Sequence, residues 1–348
     1  MPLMRIVFMG TAELSCASLA ALARDRQFPV AAVVTQPDRP KGRELKLQLS
    51  PVKALAQKLG LPVLQPAKAR DENFIAELRG WGPELIVVVA YGQILPQTIL
   101  DLPRHGCLNV HTSLLPKYRG AAPIQWAIAN GDAETGVTVM KMDAGLDTGP
   151  IVAQRRTPIQ PADDSAALHE RLARLGAELL VEAIPDYASG KIQPRPQPAE
   201  GVSLAPKIKK GDGRIDWNLP ARAIGNRLRA FTPWPGAYTF WFGVPPSGGN
   251  ILQTGKPPEG GTPNAAHSTL LKIWRAEVVE ASGDAGTILS ADKNGLVVAC
   301  GQGALRILEL QREGGRRMAA AEFLAGHSLK PGEKLAGPGR WPDLPDQN

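Results

Sequence analysis

Three polar side chains near the middle of the chain have the chemistry for acyl transfer to an amine. They are Asn109, His111 and Asp147, and each stands on a turn next to apolar, strand-like residues. A side-chain amide can donate a hydrogen bond to a developing oxyanion, and an imidazole can move a proton near neutral pH. A carboxylate can orient that imidazole and balance its charge. Together these residue types predict a catalytic site for acyl transfer.

The sequence around these residues is more specific than any one of them. A single Asn, His or Asp beside glycines is more often a turn or capping residue than a catalyst. Residues 109–116, however, read Asn-Val-His-Thr-Ser-Leu-Leu-Pro, and residues 145–149 read Gly-Leu-Asp-Thr-Gly. In this order the two stretches resemble the formyltransferase family that uses 10-formyltetrahydrofolate.

The resemblance covers most of the chain, roughly from residue 5 to residue 323. The other matching segments are 36–40, 50–53, 89–92, 119–125 and 229–235. Within the family the match is strongest to members that act on methionyl-tRNA. It implies transfer of the formyl group of 10-formyltetrahydrofolate, as cosubstrate, to the amino group of initiator methionyl-tRNA. Since an amine is a competent nucleophile when neutral, it can attack directly and form a tetrahedral intermediate.

The resemblance also implies which segments bind the folate. One is the turn after the candidate strand, formed by Ser113, Leu114, Leu115 and Pro116. A second loop contributes Tyr91, Gly92, Ile94 and Leu95, and a third contributes Leu146. A pterin ring is flat and carries donors and acceptors on one edge, so backbone groups between apolar walls suit it.

Two basic segments are candidates for contact with RNA. Formal net charge is +7 with a pI near 9.4, which favours a polyanionic partner, although such an excess also occurs on proteins without one. Segment 36–46 is basic and rich in proline, and the resemblance implies that it binds the acceptor stem of initiator tRNA; otherwise it is a solvated surface loop. The predicted tRNA-binding residues are Lys41, Arg43, Lys46, Lys207, Lys209 and Lys210.

Other classes of site are disfavoured. Cys16, Cys107 and Cys300 lie far apart, and the histidines outside the motif show no metal spacing, so we expect no disulfide framework and no metal. The first apolar run is short and predicts a strand rather than a signal peptide. No apolar stretch approaches the roughly 18 residues of a membrane span, and no obligate protein partner is evident. We therefore expect a cytoplasmic protein that has no membrane partner.

The fold class predicted up to about residue 190 is α/β, with a Rossmann-like, mainly parallel sheet. Apolar strand-like runs alternate there with amphipathic helical patterns. The predicted strands are 5–9, 30–35, 85–90, 108–111, 137–142 and 151–157, the last two as an antiparallel addition at one side. The predicted helices include 50–58, 71–78 and 164–188, the last capped by Asp163 or Asp164. Ligands of such sheets bind beyond the carboxyl ends of the strands, where Asn109 and His111 lie.

A second, smaller domain is predicted after a proline-rich segment. We expect a formyltransferase catalytic domain at 1–190, a linker at 191–212, an OB-fold-like tRNA-binding barrel at 213–335 and a flexible tail at 336–348. A helix at 221–230 and short strands at 237–242, 269–274, 286–290, 296–299 and 305–310 support the barrel. Segment 244–267 is rich in Gly and Pro and is predicted to be a flexible excursion. Trp217 and Trp234 are expected in the core.

Three other functions are weighed against this one. A formyltransferase for an amino sugar or a purine precursor would use the same three residues, but a small substrate does not need two basic segments. A non-catalytic RNA-binding protein would not need the three residues and the folate loops together. A nicotinamide-dependent dehydrogenase is disfavoured because the first strand ends in Gly10-Thr11-Ala12, which lacks the G-x-G-x-x-G spacing.

Overall fold

The computed structural model describes residues 4–41, 46–242 and 268–336. The chain divides into two compact units, one formed by Met1–Ala127 and Asp132–Lys207, the other by Ile128–Gly131 and Ile208–Asn348. Arg43, the segment 244–267 and the tail beyond residue 336 fall outside the described residues, and so do the predictions made for them.

The first unit is built on one large sheet flanked by helices. The described strands of the unit, seven of which form the large sheet, are β1 (Ile6–Gly10), β2 (Val30–Val34), β3 (Arg39–Lys41), β4 (Lys46–Gln48), β5 (Val63–Leu64), β6 (Leu85–Val89), β7 (Cys107–His111), β8 (Arg119–Gly120), β9 (Glu134–Lys141), β10 (Ile151–Pro158) and β11 (Leu204–Ala205). The helices up to residue 190 are α1 (Leu14–Arg24), α2 (Pro51–Lys58), α3 (Glu72–Gly80), α4 (Gln97–Leu100), α5 (Pro123–Ala129) and α6 (Ser165–Ala188).

The strand order in the large sheet is β10-β9-β7-β6-β1-β2-β5. Strands β5, β2, β1, β6 and β7 are parallel, and β9 and β10 are antiparallel additions beside β7. Every residue of strand β1 (sequence IVFMG) and of strand β6 (sequence LIVVV) is buried, as expected for parallel strands covered on both faces. The predicted α/β class, the mainly parallel sheet and its antiparallel pair are thus confirmed.

Capping residues fix where the helices begin. The Ser50 hydroxyl accepts a hydrogen bond from the Lys53 amide at 3.0 Å, and Pro51 occupies the first helical position of α2. Of the two aspartates considered for α6, Asp164 is the cap, because its carboxylate accepts from the Ala167 amide at 2.9 Å. Such a cap satisfies a backbone N–H that has no partner within the helix.

Helix α6 packs closely against the back of β7. A Cβ placed on Gly176 would lie only 2.8 Å from Cγ1 of Val110, so a glycine is needed for the helix to approach the strand this closely. Leu168, Leu172 and Leu179 of α6 are also buried. Since successive strand residues point to opposite faces, this packing leaves the other face of β7 to Asn109 and His111.

The segment predicted as a basic loop is partly a hairpin. Strands β3 and β4 pair antiparallel, with Lys41 opposite Lys46. Its base is fixed to the first unit: the Lys53 ammonium donates to the Asp38 carboxylate at 2.5 Å, and the Gln65 amide donates to the same carboxylate at 2.9 Å. These hydrogen bonds hold the pKa of Asp38 below its usual value.

The second unit is a curled antiparallel sheet, with two α-helices among its described residues. Its strands are β12 (Ala237–Phe242), β13 (Ser268–Val279), β14 (Ile288–Asp292), β15 (Gly295–Ala299), β16 (Ala304–Arg312), β17 (Arg317–Ala319) and β18 (Leu335–Ala336), and its helices are α7 (Ala221–Ala230) and α8 (Ala320–Gly326). The strand order is β14-β15-β16-β13-β12-β18, and β17 pairs with β16.

The two edges of this sheet are joined by backbone hydrogen bonds. The Ile288 amide donates to the Glu333 carbonyl, and the Leu335 amide donates to the Gly286 carbonyl, both at 2.8 Å. The predicted barrel is therefore confirmed. Trp217 is 2% exposed in its core, as expected, but Trp234 is 57% exposed. The prediction for Trp234 was wrong: it stands between Pro233 and Pro235, in the turn that precedes β12.

Candidate active site

Asn109 and His111 lie on one face at the carboxyl end of β7. Asn109 is opposite Val88 of β6 and Met140 of β9, and His111 is opposite Thr138 of β9. Two residues apart on a strand, their side chains point the same way. Because β1, β6 and β7 are parallel, the loops that follow them border the same edge of the sheet.

His111 is 6% exposed, and each nitrogen of its imidazole ring faces an oxygen atom. Nε2 lies 2.9 Å from the Tyr118 carbonyl oxygen. A carbonyl oxygen can only accept, so this contact assigns the proton of the neutral ring to Nε2. Nδ1 is then the nitrogen that can gain a proton. It faces Oδ2 of Asp147 at 3.7 Å, which is longer than a hydrogen bond.

Asp147 reaches His111 from a loop that turns back over the sheet. Strand β9 ends with Lys141 opposite Leu108, three residues or about 10 Å along β7 from His111. Asp147 has a φ of +52°, and its Oδ2 accepts from the Gly120 amide at 2.8 Å. Gly149 closes the loop, because a Cβ there would lie 1.8 Å from the Lys141 carbonyl oxygen.

Backbone strain is concentrated around this pair. Among the described residues, the non-glycine residues with positive φ are Ala90 (+43°), Tyr118 (+64°) and Asp147 (+52°). Tyr118 supplies the carbonyl that holds His111, and Ala90 begins the loop after β6. Each such conformation costs of the order of 1–3 kcal/mol and persists only where its surroundings enforce it, as happens most often at functional sites.

The Asn109 amide is free for a ligand. The side chain is half-buried, and no group in the described ranges of the chain forms a hydrogen bond with it. A half-buried amide that forms no intramolecular hydrogen bond retains its full capacity to donate and accept.

The turn after β7 is braced by its own hydrogen bonds. The buried Ser113 hydroxyl donates to the Lys117 carbonyl at 2.6 Å, and its backbone carbonyl accepts from the Thr138 hydroxyl at 2.7 Å. Leu115 is buried and precedes a cis proline, whereas Leu114 and Pro116 are partly exposed. Leu114 and Pro116 are therefore the members of this turn whose side chains a ligand could reach.

The loop after β6 combines a buried ring with an exposed apolar side chain. Tyr91 is 2% exposed, and its hydroxyl has no hydrogen-bond partner among the described residues; burial raises its pKa to about 12. Leu95 is also buried, but Ile94 is 90% exposed and Gly92 is exposed. Leu146, beside Asp147, is 63% exposed. The reachable side chains of the predicted folate loops are thus Ile94 and Leu146.

Gln36 connects this loop with the basic hairpin. Its side-chain Nε2 donates to the Tyr91 carbonyl, and its Oε1 accepts from the Arg39 guanidinium, both at 2.9 Å. The Thr11 hydroxyl donates to the same Tyr91 carbonyl at 2.9 Å. One amide side chain therefore bridges β3 and the loop after β6.

Comparison with known proteins assigns the chain to a family. The family model described as formyl transferase matches residues 4–184, and that of the formyl transferase C-terminal domain matches residues 207–328. A methionyl-tRNA formyltransferase of Myxococcus xanthus is 52% identical over 330 residues, which cover 95% of this chain and 97% of that relative. This chain belongs to the formyl transferase family. It is an enzyme of the methionyl-tRNA formyltransferase type by this similarity.

Solved structures agree with this fold. An N-formyltransferase from Helicobacter canadensis, in complex with folinic acid and dTDP-3-aminofucose, superposes with a TM-score of 0.60 at 17% identity, covering 87% of this chain and 99% of that chain. HypX from Aquifex aeolicus, in complex with tetrahydrofolic acid, superposes with a TM-score of 0.55 at 18% identity. The match covers 92% of this chain but only 47% of HypX, so this formyl transferase spans about half the length of that protein.

Of the residues predicted to bind tRNA, all except Arg43 lie within the described ranges of the chain. In this formyl transferase Lys207, Lys209 and Lys210 are exposed, and their ammonium groups make no ion pair within the described ranges. Lys41 and Lys46 are paired opposite each other in the hairpin backbone. No described carboxylate therefore lies in ion-pair contact with the ammonium groups of the three later lysines.

Sequence reasoning missed Gln197. It lies in the segment expected to be a linker, yet its side chain hydrogen-bonds to Arg119 and to the backbone of the Asp147 loop. The same segment contains β11, which pairs with β8, and Ser203, whose hydroxyl accepts a hydrogen bond from the Tyr118 amide at 2.9 Å. No sequence pattern predicted the role of Gln197, because a proline-rich segment lacks the hydrophobic periodicity from which packed elements are recognised.

Metal and thiol chemistry find no support in the described part of this formyl transferase. No group of three or more His, Cys, Asp or Glu side chains in 4–41, 46–242 and 268–336 is arranged to hold a metal ion. Burial raises the pKa of Cys107 to about 12 and that of Cys16 and Cys300 to about 11, which favours the protonated thiol near neutral pH. No described helix is long and apolar enough to cross a membrane.

Proposed function

We propose that this enzyme transfers the formyl group of 10-formyltetrahydrofolate to the amino group of initiator methionyl-tRNA, giving N-formylmethionyl-tRNA. The observation that carries the proposal is the free Asn109 amide on the same strand end as His111, which faces Asp147 of a neighbouring loop. The 52% identity to the Myxococcus xanthus methionyl-tRNA formyltransferase supports the choice of acceptor. Since charged tRNA is used in the cytoplasm, the proposal places the enzyme there.

The three side chains have distinct roles in this proposal. The neutral amine attacks the formyl carbon, and the carbonyl oxygen becomes an oxyanion to which the Asn109 amide and a protonated His111 donate hydrogen bonds. Preorganised donors of this kind act only as the charge develops, and losing one typically costs about a hundred- to thousandfold in rate. Asp147 takes a proton from the attacking nitrogen, directly or through water, and the proton is passed to N10 of the departing folate.

The side chains present fit a folate. Ile94 and Leu146 stand exposed on two loops near the end of β7, and an aromatic ring system would remove both from water. In the proposal, Leu114 and Pro116 add apolar contact, while Ser113, Leu115, Tyr91, Gly92 and Leu95 shape the pocket through the backbone and the packing beneath it. The Ser113 hydroxyl has no proton left to donate to the ligand, since it donates to the Lys117 carbonyl.

The proposed tRNA contacts are electrostatic. The three exposed lysines at 207–210 carry charge that no described carboxylate neutralises, which suits a phosphate backbone. Lys41, Arg43 and Lys46 of segment 36–46 would contribute further contacts. We further propose that residues 1–190 form the catalytic domain, 191–212 the connection and 213–335 the tRNA-binding domain. Small-barrel folds of this type often bind nucleic acid.

The alternative acceptor is an amino sugar or a purine precursor. The Helicobacter canadensis enzyme, solved with an amino-sugar nucleotide, shares the fold at 17% identity, and likeness at this level carries no information on the acceptor. The uncompensated basic residues favour the tRNA, because a small acceptor does not require them.

One experiment decides between these acceptors. The enzyme is incubated with 10-formyltetrahydrofolate and, in parallel, with initiator methionyl-tRNA, elongator methionyl-tRNA or an amino-sugar nucleotide, and the products are identified by mass spectrometry. We expect N-formylmethionine released from the initiator tRNA. Formylation of the sugar with no formylation of either tRNA would refute the proposed acceptor. An Asn109→Ala enzyme in each reaction shows that the product comes from this site.

A further inference from the structure

The Gln197 side chain uses all of its hydrogen-bonding capacity beside Asp147. Nε2 donates to the Asp147 carbonyl and to the Gly149 carbonyl, each at 2.8 Å. Oε1 accepts from Arg119, from Nε at 3.1 Å and from Nη2 at 2.7 Å. A primary amide has two N–H donors and two acceptor lone pairs, so none remains for solvent or substrate.

Gln197 thereby ties together the two backbone segments that fix the His111–Asp147 pair. Arg119 stands between Tyr118, whose carbonyl accepts from His111 Nε2, and Gly120, whose amide donates to Asp147 Oδ2. On the other side, Gln197 holds the backbone of Asp147 itself. A displacement of Gln197 would change the distance between the imidazole and the carboxylate from both ends.

The Asp147 loop needs such a restraint. Residues 143–146 are exposed, and Asp147 has a φ of +52°, which a non-glycine residue leaves readily when nothing enforces it. The hydrogen bonds that Asp143 makes to the Gly145 amide and to the Thr148 hydroxyl lie within the loop. The Gly120 amide bonds to the reactive carboxylate, and that bond weakens whenever the carboxylate accepts a proton. The two bonds from Gln197 are to backbone carbonyls and persist in both protonation states.

We propose that Gln197 is a positioning residue that keeps Asp147 at a fixed distance from His111 while the proton moves. The proposal rests on the proposed function, since the rate affected is that of formyl transfer. Gln197 touches no reacting atom; it acts through Asp147 and through the segment 118–120.

The test is Gln197→Glu, with Gln193→Glu as matched control. The glutamate keeps the length of the side chain and the contact with Arg119. It loses both N–H donors, and its carboxylate oxygens face the carbonyl oxygens of Asp147 and Gly149. Gln193 lies in the same segment and is exposed, and its one side-chain hydrogen bond among the described residues is to the Gly190 carbonyl at 2.8 Å. We expect kcat for Gln197→Glu to fall about ten- to hundredfold, as for a misplaced reacting group, with KM for folate and tRNA within about twofold of wild type.

A second readout does not depend on activity. The His111 ring is followed by ¹H–¹⁵N spectra across pH, and its signals are assigned by their loss in His111→Gln. We expect the His111 titration midpoint to move in Gln197→Glu and also in Gln197→Asn, which adds no charge, and to stay at the wild-type value in Gln193→Glu. If Gln197→Glu does not fold, Gln197→Asn, which shortens the reach by one methylene, takes its place in both measurements.

The outcomes separate the two proposals. Wild-type kcat together with an unchanged His111 titration in the Gln197 variant would overturn the positioning role. A raised KM with unchanged kcat would overturn it as well, since that pattern indicates ground-state binding. Absence of methionyl-tRNA formylation by the wild-type enzyme would instead refute the proposed function, and the His111 titration would still report on Gln197.

Discussion

His111 turns Nδ1 toward Oδ2 of Asp147 across 3.7 Å while the Tyr118 carbonyl holds its other nitrogen. The two groups face each other without forming a hydrogen bond, so the carboxylate does not orient the ring through a hydrogen bond. That orientation is already supplied by Tyr118. Asp147 therefore remains available to accept a proton from the attacking nitrogen.

Asp147→Asn should abolish formyl transfer while folate binding persists. The amide oxygen can still accept from the Gly120 amide, so the loop keeps its shape, but an amide cannot carry the proton. We expect kcat to fall by at least about a hundredfold, the scale of a lost acid–base group. Folate binding is measured by fluorescence quenching. Loss of binding together with activity would show that Asp147 anchors the ligand instead.

Asn109→Ala and His111→Ala should each lower turnover by at least about a hundredfold. Their effects on stability should differ. No described group bonds to the Asn109 amide, so its removal leaves the thermal midpoint nearly unchanged, whereas removal of His111 takes the imidazole donor away from the Tyr118 carbonyl. Near-wild-type turnover of either folded variant contradicts its assignment to the reaction.

Gly176→Ala should destabilise the first unit and slow turnover. Alanine gains about 1 kcal/mol of helix propensity, but its Cβ would lie 2.8 Å from Val110 Cγ1, and overpacking typically costs about 1–3 kcal/mol. Val110 stands between Asn109 and His111, so a shift of β7 displaces both. Gly80→Ala on α3 is the control, since its Cβ meets no atom within 4 Å. Urea unfolding should show a lower midpoint for Gly176→Ala alone, and equal midpoints would contradict the close packing.

Tyr91→Phe should stabilise the first unit, and more so at alkaline pH. It removes a buried hydroxyl that has no described partner, a gain of about 1 kcal/mol. Burial raises the Tyr91 pKa from 10.0 to about 12, so the unfolded chain ionises first and wild-type stability is lost as pH rises from 10 to 12. The advantage of the Tyr91→Phe variant over wild type should be about 1 kcal/mol larger at pH 11 than at pH 8.

Tyr187→Phe is the matched control for that measurement. Its hydroxyl donates to the His105 carbonyl at 2.6 Å, so its removal should destabilise the first unit at pH 8, by about 1 kcal/mol. Urea unfolding at both pH values gives the comparison. A destabilised Tyr91→Phe would mean that the Tyr91 hydroxyl has a partner after all.

Binding of tRNA should weaken steeply with salt, because lysines that meet phosphates release counterions. Replacing Lys209 and Lys210 by alanine should reduce the slope of log affinity against log salt by up to about two units. Replacing the exposed Lys58 and Lys68 changes the net charge equally and should leave the slope unchanged. Filter binding at several salt concentrations measures both. Equal slopes for the two double variants would show that Lys209 and Lys210 do not contact RNA phosphates.

The sequence predicted the sheet well because buried parallel strands are continuous apolar runs, as β1 and β6 are. It also placed Asn109 and His111 at the carboxyl end of one strand, where ligands of α/β sheets bind. It could not place Gln197, whose contacts are 50 and 78 residues distant in the chain. The hairpin within segment 36–46 was missed because Pro40 and the basic residues around it resemble a loop more than a strand.

The Gln36 amide joins the Arg39 guanidinium of the hairpin to the Tyr91 carbonyl of the proposed folate loop. Two ligands that act on opposite ends of such a bridge are thermodynamically linked. A hairpin conformation that RNA selects and that breaks either hydrogen bond changes the affinity for folate. Folate must then change the affinity for tRNA by the same factor. The sign of that single coupling free energy would decide whether each substrate strengthens or weakens the binding of the other.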